Sequence, residues 1–149
     1  MIGKDYTNNL KEILDQLQEA AKHLNISLQR SKTAKSGIGE SENTLIEFEA
    51  LTTRFAKVAD MLIHKVYRSI DYVEFAEGGS IIDVMNRADK QNFIDSAQEM
   101  RILKDLRNDI AHEYITERIQ LLHFEVLERT PKLLQLVNRA LHYCKKYLK

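Results

Sequence analysis

Apolar side chains recur at intervals of three and four residues along almost the whole chain, and this periodicity restricts the fold to helices. Near the N-terminus the repeating positions are Leu10, Ile13, Leu14, Leu17, Ala20, Ala21 and Leu24. No segment convincingly alternates apolar and polar residues with the period of two that marks a strand, and no internal repeat is present. The sequence therefore predicts an all-α protein, an antiparallel up-and-down helical bundle.

Four long periodic segments form the predicted core of the bundle. Helices are expected from about Asp5 to Gln29, from Thr44 to near Gly78, from about Ser96, and from Thr116 onwards. The segment between the first two helices is rich in Ser, Gly, Lys and Glu, with Ile38 as its only large apolar residue. Because such a segment buries too little surface to offset the entropy of ordering, residues 33–43 are predicted to form a mobile loop.

Two further signals divide the helical pattern. Ser80 can cap an additional short helix, with Asp83 three residues later and apolar residues around it. Near the C-terminus, Thr130 and Pro131 resemble a cap followed by the first residue of a helix, where proline's missing N–H would be unpaired in any case. The last stretch is therefore predicted to be a proline-broken helix, as two helices or one kinked helix.

Length and charge restrict the classes of function. The chain has 149 residues, the size of one domain, so residues 1–149 are predicted to fold as a single helical domain. Its 22 basic residues balance 22 acidic ones, so any contact with nucleic acid must be local. No apolar run approaches the roughly 20 residues that cross a bilayer, and the N-terminus lacks a secretory signal. We therefore expect a cytoplasmic protein with no membrane partner.

An arginine followed five positions later by a histidine occurs twice in the chain. The copy from Arg118 to His123 lies among Leu121, Leu122 and Phe124, which predicts a packing role. The earlier copy adds an asparagine after the arginine and a tyrosine two places after the histidine, at the end of a predicted helix. It reads Arg107, Asn108, Asp109, Ile110, Ala111, His112, Glu113, Tyr114.

This Arg-Asn-x-x-x-His-x-Tyr segment, together with the order of the helices, resembles the signature of HEPN domains. Within them it resembles the HepT-like toxins, which pair with a minimal nucleotidyltransferase (MNT) antitoxin. The resemblance implies a metal-independent endoribonuclease without a cofactor, in which Arg107 and His112 act on the RNA backbone and Asn108 supports them. It also implies that the antitoxin adds AMP to Tyr114, which would place bulk and negative charge where RNA phosphates dock.

Cleavage of RNA without a metal requires removal of the 2′-hydroxyl proton, stabilisation of charge on phosphorus and protonation of the leaving oxygen. Histidine titrates near neutrality and arginine offers phosphate a charged, planar fork, so the pair suits this chemistry. On a regular helix, however, Arg107 and His112 point about 140° apart. Either the helix unwinds before Tyr114, or a second subunit completes the site. HEPN domains similar to this chain form dimers with facing motifs, so we expect a homodimer.

Structural roles for the basic residues of this helix stay open from the sequence. Arg101, Lys104 and Arg107 form a strip at intervals of three, which is either a weak RNA-binding surface or a solvated helix face. Arg107 could also pair with Asp105 or Glu113 on the surface of the bundle.

Spacing allows two other pairings of polar residues. Asp105, Asp109 and His112 share one helix face, which makes a metal site an alternative, although no further ligand cluster supports it. His64 follows Asp60 by four residues and is predicted to form an ordinary surface pair with it.

A second class of function also fits the fold. HEPN-like bundles include non-catalytic subunits that bind substrate for a nucleotidyltransferase partner, and a helical fold alone does not distinguish these from toxins. The intact set of Arg107, Asn108, His112 and Tyr114 favours the ribonuclease, because a docking subunit needs none of these residues.

Overall fold

A computed structural model describes residues 2–36, 42–75, 79–90, 97–114 and 116–148. Its helices are α1 (Ile2–Ser36), α2 (Glu42–Asp60), α3 (Tyr67–Phe75), α4 (Ile81–Lys90), α5 (Ala97–His112) and α6 (Thr116–Cys144). A π-helical turn, Met61–Val66, joins α2 to α3, and a short 3₁₀ turn, Lys145–Tyr147, follows α6. No strand occurs in the described ranges, so the predicted all-α class is confirmed.

The first two helices run antiparallel. Ser31, near the end of α1, donates a hydrogen bond from its hydroxyl to the carbonyl of Glu47 at 3.2 Å, near the start of α2. Earlier in α1, the hydroxyl of Ser27 accepts a hydrogen bond from Arg54 at 2.8 Å, further along α2. As the chain advances along α2, its contacts therefore move back along α1.

The next helices continue the up-and-down order. The hydroxyl of Tyr67 contacts the sulfur of Met100 at 3.7 Å, while Asp60, earlier in the chain, bonds to Arg107, later in α5. Because the earlier of these residues contacts the later position in α5, α5 runs antiparallel to α2 and α3. Helix α6 begins only a few residues after α5 and packs against it, which completes the predicted helical bundle.

The apolar stripes predicted from the periodicity meet in one continuous core. On α1 the buried positions include Leu10, Leu14, Leu17 and Leu24, each at most 2 % exposed. Full burial of one such side chain is worth roughly 1.5–3 kcal/mol relative to leaving it in water. Within the described part of the chain, none of the helices combines the length and apolar content needed to cross a bilayer.

The predicted mobile loop at residues 33–43 is wrong at both of its ends. Helix α1 continues to Ser36, and α2 already begins at Glu42. The polar side chains here find partners within the helices: Ser31 is fully buried against α2, and the hydroxyl of Thr33 donates to the carbonyl of Gln29 at 3.2 Å. Packing and local hydrogen bonds therefore extend the helix through a polar sequence. The middle of the predicted loop, residues 37–41, lies outside the described residues.

Of the two alternatives predicted at Pro131, two separate helices are excluded. Helix α6 runs as a single helix through Thr130 and Pro131. Thr130 is not an N-cap, because it is fully buried and its hydroxyl donates to the carbonyl of Val126 at 2.6 Å, one turn earlier. Proline removes one backbone donor, but buried residues on both sides, including Val126 and Leu133, keep the helix packed in the core.

The predicted cap of the short helix α4 is confirmed. The hydroxyl of Ser80 accepts a hydrogen bond from the backbone N–H of Asp83 at 3.2 Å, and the carboxylate of Asp83 accepts one from the backbone N–H of Ser80 at 3.1 Å. The hydroxyl of Ser80 also donates to that carboxylate at 3.0 Å, and this bond, together with the one from the Ser80 N–H, lowers the pKa of Asp83. Gly79, directly before the cap, has a φ of 103°, a conformation that favours glycine.

Candidate functional site at the end of α5

The Arg-Asn-x-x-x-His-x-Tyr motif occupies the C-terminal end of α5. The helix ends at His112, and Glu113 and Tyr114 follow outside it. Four buried residues anchor the helix to the core: Ala97, Met100, Leu103 and Leu106. Because the apolar face is turned inwards, the polar residues of the motif lie at the surface.

Arg107 is held by a carboxylate from another helix. Its Nε donates a hydrogen bond to Oδ1 of Asp60 at 2.8 Å, although 47 residues separate the two in sequence. The side chain of Arg107 is 31 % exposed, and its Nη atoms make no hydrogen bond with the described residues. Neither Asp105 nor Glu113 is its partner, so those two surface pairings are wrong. The guanidinium is thus fixed along one edge and open along the other.

Arg107 and His112 lie in different surface depressions of the same chain. Arg107 and Asn108 border one depression, together with Asp60 and His64 from the α2 side. His112 is exposed and borders another, together with Asp109, Glu113, Arg118, Leu121, Leu122 and Glu125. The backbone from Arg107 to His112 stays helical, so the end of the helix does not bring the two side chains together. The separation agrees with the angle expected from helical spacing.

Tyr114 is the most accessible tyrosine among those whose side chains the structure describes. Its side chain is 85 % exposed. Tyr67 is fully buried, and the hydroxyls of Tyr143 and Tyr147 donate to the same carboxylate oxygen of Glu74, at 2.7 and 2.8 Å. An enzyme that modifies a tyrosine of this chain would therefore reach Tyr114 most easily.

The other polar residues of α5 remain separate groups on its surface. Arg101 is exposed, and Lys104 is half-buried. The spacing of Asp105, Asp109 and His112 does not produce a metal site, because no group of three or more His, Cys, Asp or Glu side chains in the described ranges is placed to hold a metal ion.

The histidine of the second arginine–histidine copy has the packing role that its apolar surroundings predicted, whereas Arg118 is exposed. His123 is 4 % exposed, and its ring stacks on Phe48 with the centroids 5.6 Å apart. Burial lowers the pKa of His123, and the charge of Glu49 opposes this shift. A histidine held neutral in this way contributes packing to the interface between α2 and α6.

Sequence reasoning missed His64 as a neighbour of the motif. Among the described residues the carboxylate of Asp60 accepts its hydrogen bond from Arg107 and none from His64, although its charge still acts on His64. Partial desolvation of an otherwise exposed side chain is the main cause that lowers the pKa of His64, and the charges of Lys104, Arg68 and Arg107 lower it further, while Asp60 opposes them. No local sequence pattern predicts that His64 lies near Arg107, because the two are brought together by contact between α5 and the helices that precede it.

At the end of α5, Arg107 is hydrogen-bonded to Asp60 and borders one depression. His112 is exposed and borders another, and Tyr114 is also exposed. Comparisons with protein-family models, with curated proteins and with solved structures gave no match.

Proposed function

We propose that this protein is a metal-independent endoribonuclease toxin of the HepT type, active in the cytoplasm as a homodimer and neutralised by a minimal nucleotidyltransferase antitoxin. The observation that carries the proposal is that two accessible functional groups lie at the end of one helix. The guanidinium of Arg107 is partly exposed, and the imidazole of His112 is exposed. Both groups are accessible to an RNA backbone, whereas two side chains with a purely structural role would be engaged in contacts within the bundle.

Each residue of the motif has a role suited to its chemistry. The Nη groups of Arg107 donate to the oxygens of the scissile phosphate and stabilise the negative charge that grows there. His112 exchanges the proton of the 2′-hydroxyl or of the leaving oxygen, because imidazole titrates near neutral pH. Asn108 is exposed next to Arg107, and its amide supports the phosphate as a further donor.

A homodimer would unite the two halves of this site. Within one chain, Arg107 and His112 border separate depressions, so the reaction requires one of them from a second copy. One apolar side chain beside His112 supports such an interface: Leu121 borders the same depression and is 70 % exposed.

The proposed activity is tested by growth after expression of the chain alone. We expect the wild-type protein to arrest growth and the His112→Ala variant to be harmless, because removal of the imidazole removes proton transfer. The control is His142→Ala, which alters another exposed histidine, near the end of α6. Soluble yield and helical circular dichroism verify that each variant folds. Equal growth of wild type and His112→Ala would exclude the ribonuclease.

Tyr114 is expected to be the target of the antitoxin. In this reaction the phenol oxygen attacks the α-phosphate of ATP, and pyrophosphate leaves as AMP becomes attached. After incubation with the cognate transferase and ATP, peptide mass spectrometry should locate the adduct on Tyr114, and Tyr114→Phe should carry none. Tyr143→Phe is the matched control, since its half-buried hydroxyl is bound to Glu74. Only unmodified Tyr114 after full incubation would contradict this role.

The bond between Arg107 and Asp60 favours one alternative, a non-catalytic subunit that binds or presents substrate to a nucleotidyltransferase. In that case the ion pair would only join α5 to α2. Expression would then be harmless for the wild-type chain, and binding of the transferase would survive Arg107→Ala and His112→Ala. A toxic wild type with harmless variants distinguishes the ribonuclease from this subunit.

A further inference from the structure

The depression beside Arg107 contains further positively charged side chains that the proposed cleavage reaction does not use. Its polar lining consists of Lys57, Asp60, His64, Lys65, Arg107 and Asn108. We call it the π-turn pocket, because the π-helical turn Met61–Val66 and the end of α2 form one of its walls and α5 forms the other. His112 borders a different depression, so the pocket is a separate feature of the surface.

The π-helical turn supplies Met61, His64 and Lys65 to the lining of this pocket. The backbone N–H of Tyr67 bonds to the carbonyl of Leu62, five residues earlier, in place of the usual four. Leu62, Ile63 and Val66 are buried and hold the turn against the core. His64 is left exposed on the outer side. Turns of this kind are rare, and those that do occur are frequently found at functional sites. His64 is therefore a candidate functional residue.

Charges in the pocket favour an anion. Lys57, Lys65 and Arg107 face a single carboxylate, that of Asp60, which is already hydrogen-bonded to Arg107. Beyond the lining, the charges of Lys104 and Arg68 reach His64 strongly enough to lower its pKa, in addition to the larger effect of burial. The described residues provide His64 with no hydrogen bond of its own, so its ring is available to a ligand.

We propose that the π-turn pocket binds a backbone phosphate of single-stranded RNA, next to the phosphate that is cleaved, with His64 as a donor to that bound phosphate. The identity of the ligand rests on the proposed ribonuclease function. His64 donates an imidazole N–H to a phosphate oxygen, and the neighbouring lysines add charge. Arg107 borders the pocket and also belongs to the motif, so a phosphate seated here aligns the strand with the catalytic end of α5.

The proposal is tested with oligothymidylate, a single-stranded probe that lacks the 2′-hydroxyl and cannot be cleaved by this chemistry. We expect His64→Gln to weaken binding of the probe about threefold to tenfold, as for the loss of one typical hydrogen bond. The control His142→Gln should bind like the wild type. In NMR titrations the pKa of His64 should rise when the probe is bound, because the phosphate opposes the cations around the ring.

Kinetics with RNA separate this subsite from the catalytic motif. His64→Gln should raise KM for RNA by a similar factor while kcat stays within about twofold, because the residue holds substrate and takes no part in proton transfer. Unchanged probe binding and an unchanged pKa of His64 would overturn the subsite while leaving the ribonuclease intact. If instead wild-type protein binds the probe through His64 but does not cleave RNA, the subsite stands and the ribonuclease fails.

Discussion

Mixing two inactive variants, Arg107→Ala and His112→Ala, is expected to restore about a quarter of the wild-type ribonuclease activity. Each variant alone should cleave RNA at least about a hundredfold more slowly than the wild type, because it lacks either the phosphate donor or the proton-transfer group. The restored activity is measured on a fluorescent RNA after the chains are co-expressed or allowed to exchange subunits.

The expected value follows from the separation of the two side chains within one chain. If each site combines Arg107 from one protomer with His112 from its partner, a mixed dimer contains one intact site and one site that lacks both groups. In a random equimolar mixture about half of the dimers are mixed, and half of their sites are intact, which makes about one quarter. A site built from one chain would gain nothing from mixing.

A double variant controls for the mixing itself. Chains that carry both Arg107→Ala and His112→Ala, mixed with either single variant, have no means to form an intact composite site and should stay inactive. Sedimentation analysis of each mixture verifies that dimers have formed. If the single variants were active, Arg107 and His112 would have no role in the reaction. A mixture that stays inactive although mixed dimers have formed would exclude a site shared between protomers.

Local patterns were sufficient to predict much of this fold. The three-and-four spacing of Leu10, Leu14, Leu17 and Leu24 identifies the inner face of α1, and all four are buried. The cap at Ser80 was also predictable, because a hydroxyl that bonds the N–H three residues later is a local interaction. Both features depend on residues within a few turns of one another.

Features that depend on contact between distant segments could not be predicted from the sequence. Asp60 is 47 residues from Arg107, so nothing in either segment reveals their hydrogen bond. The π-helical turn brings His64 beside this pair without any compositional signal. The sequence left two alternatives at Pro131 for a related reason, since packing on both sides keeps α6 continuous where proline alone favours a break. Tertiary contacts override local preference at each of these positions.

Arg87→Ala is expected to lower the free energy of unfolding by about 3–5 kcal/mol. Arg87 donates from Nε to Oδ1 of Asp71, and from Nη2 to Oδ2 at 2.9 Å, which joins α4 to α3. The side chain of Asp71 is only 4 % exposed, so removal of the guanidinium leaves a carboxylate in the core without its bidentate partner. Urea unfolding followed by circular dichroism measures the loss.

The matched control is Arg129→Ala, which breaks a pair between Arg129 and Glu125 on the surface of one helix. That pair joins side chains that are 36 % and 45 % exposed, so its loss should cost at most about 0.5 kcal/mol. The double variant Asp71→Leu/Arg87→Met should recover much of the stability lost in Arg87→Ala, because apolar side chains of similar volume need no partner in the core. A loss no larger for Arg87→Ala than for Arg129→Ala would mean that water reaches Asp71 and that α4 is held by its apolar residues alone.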